Sequence, residues 1–131
     1  MTKYLLLYAA CAVVFFPLDF IWLSTMAQRF YRRELGDLLL PNPNLAIAGL
    51  FYLAYLVGVV VLVAAPADGD VGKALLMGAI LGFVAYGTYD LTNLSTVKGF
   101  TPTVAMVDIA WGTVLTAISA AGGVWIIRFF G

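Results

Sequence analysis

Val57-Gly58-Val59-Val60-Val61-Leu62-Val63 lies inside an apolar segment, 44–65, whose polar side chains past Asn44 are Tyr52 and Tyr55. A lipid-facing β-strand alternates polarity over segments of about ten residues, and this run does not alternate. A helix is the remaining way to carry such a chain through hydrocarbon with every backbone group paired. About 20 apolar residues cross a slab of about 30 Å. Working outward, the segments 4–27, 73–97 and 102–127 have the same length and character. The expected fold is all-α: a polytopic membrane protein with four transmembrane helices in one bundle, a single domain over 1–131, with a short interfacial segment after the first helix.

Composition agrees with that reading. The chain is 63% hydrophobic and 11% charged, against roughly 25% charged residues in a soluble domain. Seven Lys and Arg balance seven Asp and Glu, leaving no basic stripe for nucleic acid. With no His and Cys11 as the single thiol, disulfides, thiolate metal sites and Cys–His nucleophiles lack their parts. Lys3 precedes an apolar run that continues through Asp19 to Met26 without a small-residue cleavage site, so a retained helix is expected rather than a signal peptide.

The connections are punctuated. Arg29-Phe30-Tyr31-Arg32-Arg33-Glu34-Leu35-Gly36-Asp37 mixes charge with aromatics and leads through Leu40 to Pro41-Asn42-Pro43-Asn44, which forces the chain out of helix. Pro66-Ala67-Asp68-Gly69-Asp70 reads as a solvated turn. Gly99, Thr101 and Pro102 read as helix stop, N-cap and first-turn residue, making the last two helices an antiparallel hairpin. Arg29, Arg32, Arg33 and Lys98 then share one membrane face, with Lys3, Lys73 and Arg128 on the other. The excess of four over three leans the first face towards the cytoplasm, with insertion in both orientations as the alternative.

Asp19, Asp90 and Asp108 fall inside the spans, roughly 15, 12 and 10 Å from their nearest linker on the arginine-bearing face. An Asp near a span centre costs about 2.5–3.5 kcal/mol, and the usual resolution is to face the bundle interior or a wet cavity. Helical phase supports a meeting. Gly78, Gly82, Tyr86, Asp90 and Asn93 share one face of the third helix, and the Gly78/Gly82 spacing allows close backbone approach. Asp108, Gly112, Thr116, Ser119 and Gly123 make a small, polar stripe on the fourth. In the first, Tyr8, Ala12, Phe15, Asp19, Trp22 and Met26 align, and Pro17 frees the carbonyl of Val13.

Two of the acids begin an Asp-x-x-Trp tetrapeptide, Asp19 to Trp22 and Asp108 to Trp111. A Trp one turn along offers its own carboxylate an N–H donor and a flat apolar wall. Candidate ligand-binding residues are therefore Asp19, Trp22, Tyr86, Asp90, Asn93, Asp108 and Trp111. Arg29, Arg32, Arg33 and Lys98, beside the positive N-terminal end of the last helix, suit an anionic head group.

Asp19-Phe20-Ile21-Trp22-Leu23, Phe30-Tyr31-Arg32-Arg33-Glu34-Leu35-Gly36, Tyr86-Gly87-Thr88-Tyr89-Asp90-Leu91-Thr92-Asn93-Leu94 and Val107-Asp108-Ile109-Ala110-Trp111-Gly112-Thr113 together resemble a family of small bacterial membrane proteins, domain of unknown function twenty-one seventy-seven. The resemblance covers nearly the whole chain and implies a four-helix, multi-pass protein of the bacterial inner membrane. It brings no activity, ligand or catalytic residue.

Three classes of function follow from the chemistry. The bundle binds or transports a small polar or amphiphilic, lipid-like ligand through an acidic cavity, with clustered carboxyls making a proton switch available. Alternatively it is a lipid-modifying enzyme using those carboxyls as acid and base or to hold Mg²⁺. Or it is an accessory subunit whose polar residues lock helices together at about 0.6 kcal/mol per hydrogen bond. The first reading ranks highest. No metal ligand set and no other cofactor is expected. Membrane lipid is the expected partner, with a homo-oligomer or a larger membrane complex as the assembly.

Overall fold

The computed structural model describes residues 2–36 and 45–130. The breaker Pro41-Asn42-Pro43-Asn44 and the stretch from Asp37 to Leu40 lie outside the described residues. Helix α1 (Thr2–Met26) leads through a π turn, Ala27–Tyr31, into the short α2 (Arg32–Leu35). The second span combines α3 (Leu45–Val59), a π turn (Val60–Ala64) and α4 (Ala65–Ala67). Helices α5 (Val71–Thr96) and α6 (Pro102–Phe130) complete the chain, with no strand among the described residues. Among the described residues four helices are long and apolar enough to cross a membrane, and the protein is a membrane-embedded, multi-pass helical bundle.

Local chemistry explains the ends of these elements. Asp70 accepts the Lys73 N–H at 3.0 Å and caps α5, after a reversal through Asp68 at φ +51° and Gly69 at φ +85°. Gly99, at φ +90°, stops the next reversal, and the Thr101 hydroxyl accepts the Val104 N–H at 3.2 Å to open α6. The same hydroxyl donates to Glu34 Oε1 at 3.1 Å, docking α2 on the α5–α6 turn. At the other end Lys3 pairs with Asp68 at 3.8 Å, both side chains more than half exposed, a contact worth little on its own.

Pro17 leaves α1 helical across its whole length. The irregular backbone falls after Met26 and within the second span instead. There the π turn closes with the Ala65 N–H on the Val60 carbonyl, just ahead of Pro66, which has no N–H to give. This is why the second span continues to Ala67 rather than ending at Ala65.

Helix α6 is the centre of the bundle: half of its apolar window is buried, against 22–28% for the other spans. On one side it packs on α5 through missing side chains. A Cβ on Gly78 would lie 2.9 Å from Ala117 Cα, and one on Gly82 would run into the Gly112 carbonyl and lie 2.9 Å from Thr113 Cα. On the other side it packs on α1, where Cys11 Sγ fills the space beside Gly123 and Val14 the space beside Gly122. The second span meets all three neighbours mainly through Val60–Ala64, where Val60, Val63 and Ala64 are buried. Towards its N-terminal end it stands away from α5.

Candidate functional site

The gap left there is a cavity of about 360 Å³, lined by Phe51, Tyr52 and Tyr55 of α3, Ala85, Tyr86 and Tyr89 of α5, and Asp108 of α6. Its volume is at the small end of the range for small-molecule sites. Phe51 and Tyr89 stand at its edge, 63% and 59% exposed. Tyr55 and Tyr86 meet at 77° with ring centroids 6.3 Å apart, forming a corner. The Tyr86 ring occupies the space a Cβ on Gly112 would need, so the absence of that Cβ sets where the ring lies.

The structure brings Asp19, Asp90 and Asp108 into one neighbourhood, and of these Asp108 forms part of the cavity wall. Asp108 Oδ1 accepts a hydrogen bond from the Tyr31 hydroxyl at 2.8 Å, and its charge acts on Tyr31, Tyr52, Tyr86 and Tyr89. Asp19, 5% exposed, accepts the Trp111 indole N–H at 3.4 Å, with the Tyr52 hydroxyl beside it. Asp90, 0% exposed, lies against the Asp108 carboxyl as its hydrogen-bond partner, and no other described group reaches its oxygens. Asn93 turns to the Tyr89 side chain.

The two Asp-x-x-Trp units are crossed, a correction to the expectation that each Trp serves its own acid. Trp111 donates to Asp19, the acid of the first unit. Trp22 donates at 3.1 Å to the Tyr31 hydroxyl, which donates in turn to Asp108, the acid of the second. The two indoles stack between them, centroids 4.4 Å apart and 5° from parallel. One unit thus completes the other, which joins α1 to α6 at the level of the acids.

Tyr31 reaches this place because of the π turn. It stands nine residues after Trp22, about half a turn out of phase on a continuous α-helix, and the wider turn at Ala27–Tyr31 changes that phase. Burial, then the neighbouring Asp108 charge, raises the proton affinity of its phenol. Sequence reading missed Tyr31, Tyr52, Tyr55 and Tyr89 as site residues. The advance signals were the concentration of Tyr around the acids, which also fits a membrane-interface belt, and the place of Tyr52 and Tyr55 as polar residues in an apolar span.

Of the basic residues, Arg29 and Arg33 are exposed and Arg32 is half-buried, all within the segment that carries Tyr31 to Asp108. Lys98 is exposed in the turn after α5, at the end of the bundle where Glu34 meets Thr101. Ser95 and Thr96 bond back to carbonyls of their own helix and take no part in the cavity. Among the described residues, no three Cys, Asp or Glu side chains are grouped to hold a metal ion.

Comparison with curated proteins and with solved structures gave no match. The family described as "Predicted membrane protein (DUF2177)" matches over residues 4–125, and the chain, with four helices among the described residues long and apolar enough to cross a membrane, belongs to that family.

Proposed function

We propose that the protein holds a small polar or amphiphilic, lipid-like molecule in the cavity between α3 and α5, within the inner membrane of a bacterium. The carrying observation is the cavity itself: aromatic walls with hydroxyls and one carboxyl among them, the mixture by which small-molecule sites gain both affinity and orientation. Its edge residues Phe51 and Tyr89 are exposed on the flank of the bundle, so an amphiphile can enter from the acyl-chain region without crossing a charged surface. Transport of the same ligand, with a proton carried on the clustered carboxyls, is the stronger form of this reading.

Native mass spectrometry of protein released gently from its membrane tests the proposal and reports subunit count together with bound ligand. A bound species is expected in the parent protein and absent from Ala85→Phe, which fills the cavity from its α5 wall. Equal occupancy in both would remove the cavity as the site.

One observation favours a second reading, an enzyme acting on a membrane lipid. Asp90 is wholly buried while its neighbour Asp108 lines the cavity, and carboxyls in two such different settings can divide acid and base roles. Turnover of an extracted lipid that disappears in Asp90→Asn and Asp108→Asn, with the fold retained, would select it.

A further inference from the structure

We infer that the group recognised in this cavity is a substituted ammonium cation, with tyrosine rings as its cage and Asp108 as its counter-charge. The inference rests on the ligand-binding reading above and deepens it by naming the charge and chemistry of the ligand.

Four tyrosines and Phe51 border the cavity, and among the described lining residues Asp108 is charged and none is basic. The face of an aromatic ring carries the negative part of its quadrupole, which attracts a cation within about 6 Å of the centroid. Tyr55 and Tyr86, inclined at 77° with centroids 6.3 Å apart, offer two faces to one guest, as an alkylated nitrogen requires. Phe51 continues the wall, stacked on Tyr55 at 6.2 Å.

The buried carboxyl behind the wall points the same way. Asp90 is 0% exposed, hydrogen-bonds with the Asp108 carboxyl, and finds no other partner among the described groups. Asp108 on the wall, with the Asp90 carboxyl against its back, puts the negative end of the site where a cation in the cavity finds its counter-charge. An anionic guest would meet repulsion from Asp108 there. Because the lining is mainly aromatic carbon, a methylated or alkylated nitrogen fits it better than a small hydrated ion, which would surrender its water for few oxygens.

The shared chemistry can arrive on a free solute or on a lipid head group, and one experiment separates the sources. Protein in an uncharged maltoside detergent is titrated by calorimetry with tetramethylammonium chloride, with sodium chloride at equal ionic strength as the control. In parallel, protein in phosphatidylglycerol bilayers doped with phosphatidylcholine is analysed for the lipid retained on extraction. Saturable heat with tetramethylammonium assigns recognition of the free cation. Selective retention of phosphatidylcholine without such heat assigns the head group, and either result supports the inference. Tyr89→Leu, at an exposed position that the fold tolerates, should weaken binding about 3- to 30-fold, whereas Tyr89→Phe keeps the ring and most of the affinity. Asp108→Asn should weaken it about 10-fold or more. Retention of phosphatidylglycerol instead, displaced by Ala85→Phe, would overturn the cationic assignment and leave ligand binding standing. No retained lipid, no heat and no effect of Ala85→Phe would overturn both.

Discussion

The two flanks of α5 are built on opposite principles. Against α6, Gly78 and Gly82 bring backbone to backbone, and a Cβ on Gly82 would run into α6. Against α3, the same helix presents Tyr86 and Tyr89 across an open cavity. In lipid, apolar burial gives helices little reason to associate, so packing must supply it, and small residues let backbones come close enough to do so. Space can then be left on the other flank, because the bundle does not depend on filling it. Gly112 joins the two flanks, as it belongs to the seam and also admits the ring of Tyr86.

If the seam carries the assembly, Gly82→Leu should be the most damaging change, costing about 3 kcal/mol, the upper end for overpacking, through a clash with backbone that cannot step aside. Loss of a monodisperse peak in size-exclusion chromatography and a lower thermal midpoint check this. An unchanged midpoint would dissolve the contrast between the flanks. On the cavity side, Asp90→Leu removes a buried carboxyl whose one hydrogen-bond partner among the described groups is the Asp108 carboxyl, so stability should hold or rise, by up to about 2 kcal/mol. Ligand occupancy should fall at the same time, and a strong loss of stability would mean that the acid is structural.

The crossed indoles sharpen the comparison from a third place, the α1–α6 contact. A double-mutant cycle with Trp22→Leu and Trp111→Leu should give a coupling of about 0.5–1.5 kcal/mol, and independent effects would refute the stack. Smallest of all, Tyr31→Phe should cost about 0.5–1 kcal/mol for its hydrogen bonds. Its pH signature is more telling. The folded phenol holds its proton above the ordinary tyrosine value of 10.0, chiefly through burial and then through Asp108. Once the pH passes that value the unfolded chain ionises first, so the contribution is complete below it and declines above it. An alkaline scan of the thermal midpoint should show the decline, and Tyr31→Phe should lessen it.

Much of the fold was legible because hydropathy and helical period are local properties. The four apolar segments, the Gly99 stop, the Thr101 cap and the inward stripe of α6 all follow from neighbours in the chain. The inward phase of Asp19 and Asp90 was readable for the same reason. The crossing of the Trp donors was not, since Trp111 and Asp19 are 92 positions apart and only the docking of α1 on α6 decides which acid an indole meets. Nor was the place of Tyr31, because the π turn at Ala27–Tyr31 breaks the periodicity from which phase is read. Tyr52 and Tyr55 were visible as polar residues in an apolar span, but a cavity is a property of what fails to touch, and a sequence has no marker for that.

The widened turn at Val60–Ala64 is equivalent to one extra residue slipped into a regular helix, and it lies between the anchored end of the second span and its tyrosines. Deleting Val61 would restore the regular winding and swivel everything before it by about 100°. Tyr52 and Tyr55 would then point at lipid while Val63 and Ala64 kept their seats. One codon therefore acts as the dial on which the aromatic side of the pocket is set, independently of whether the protein assembles.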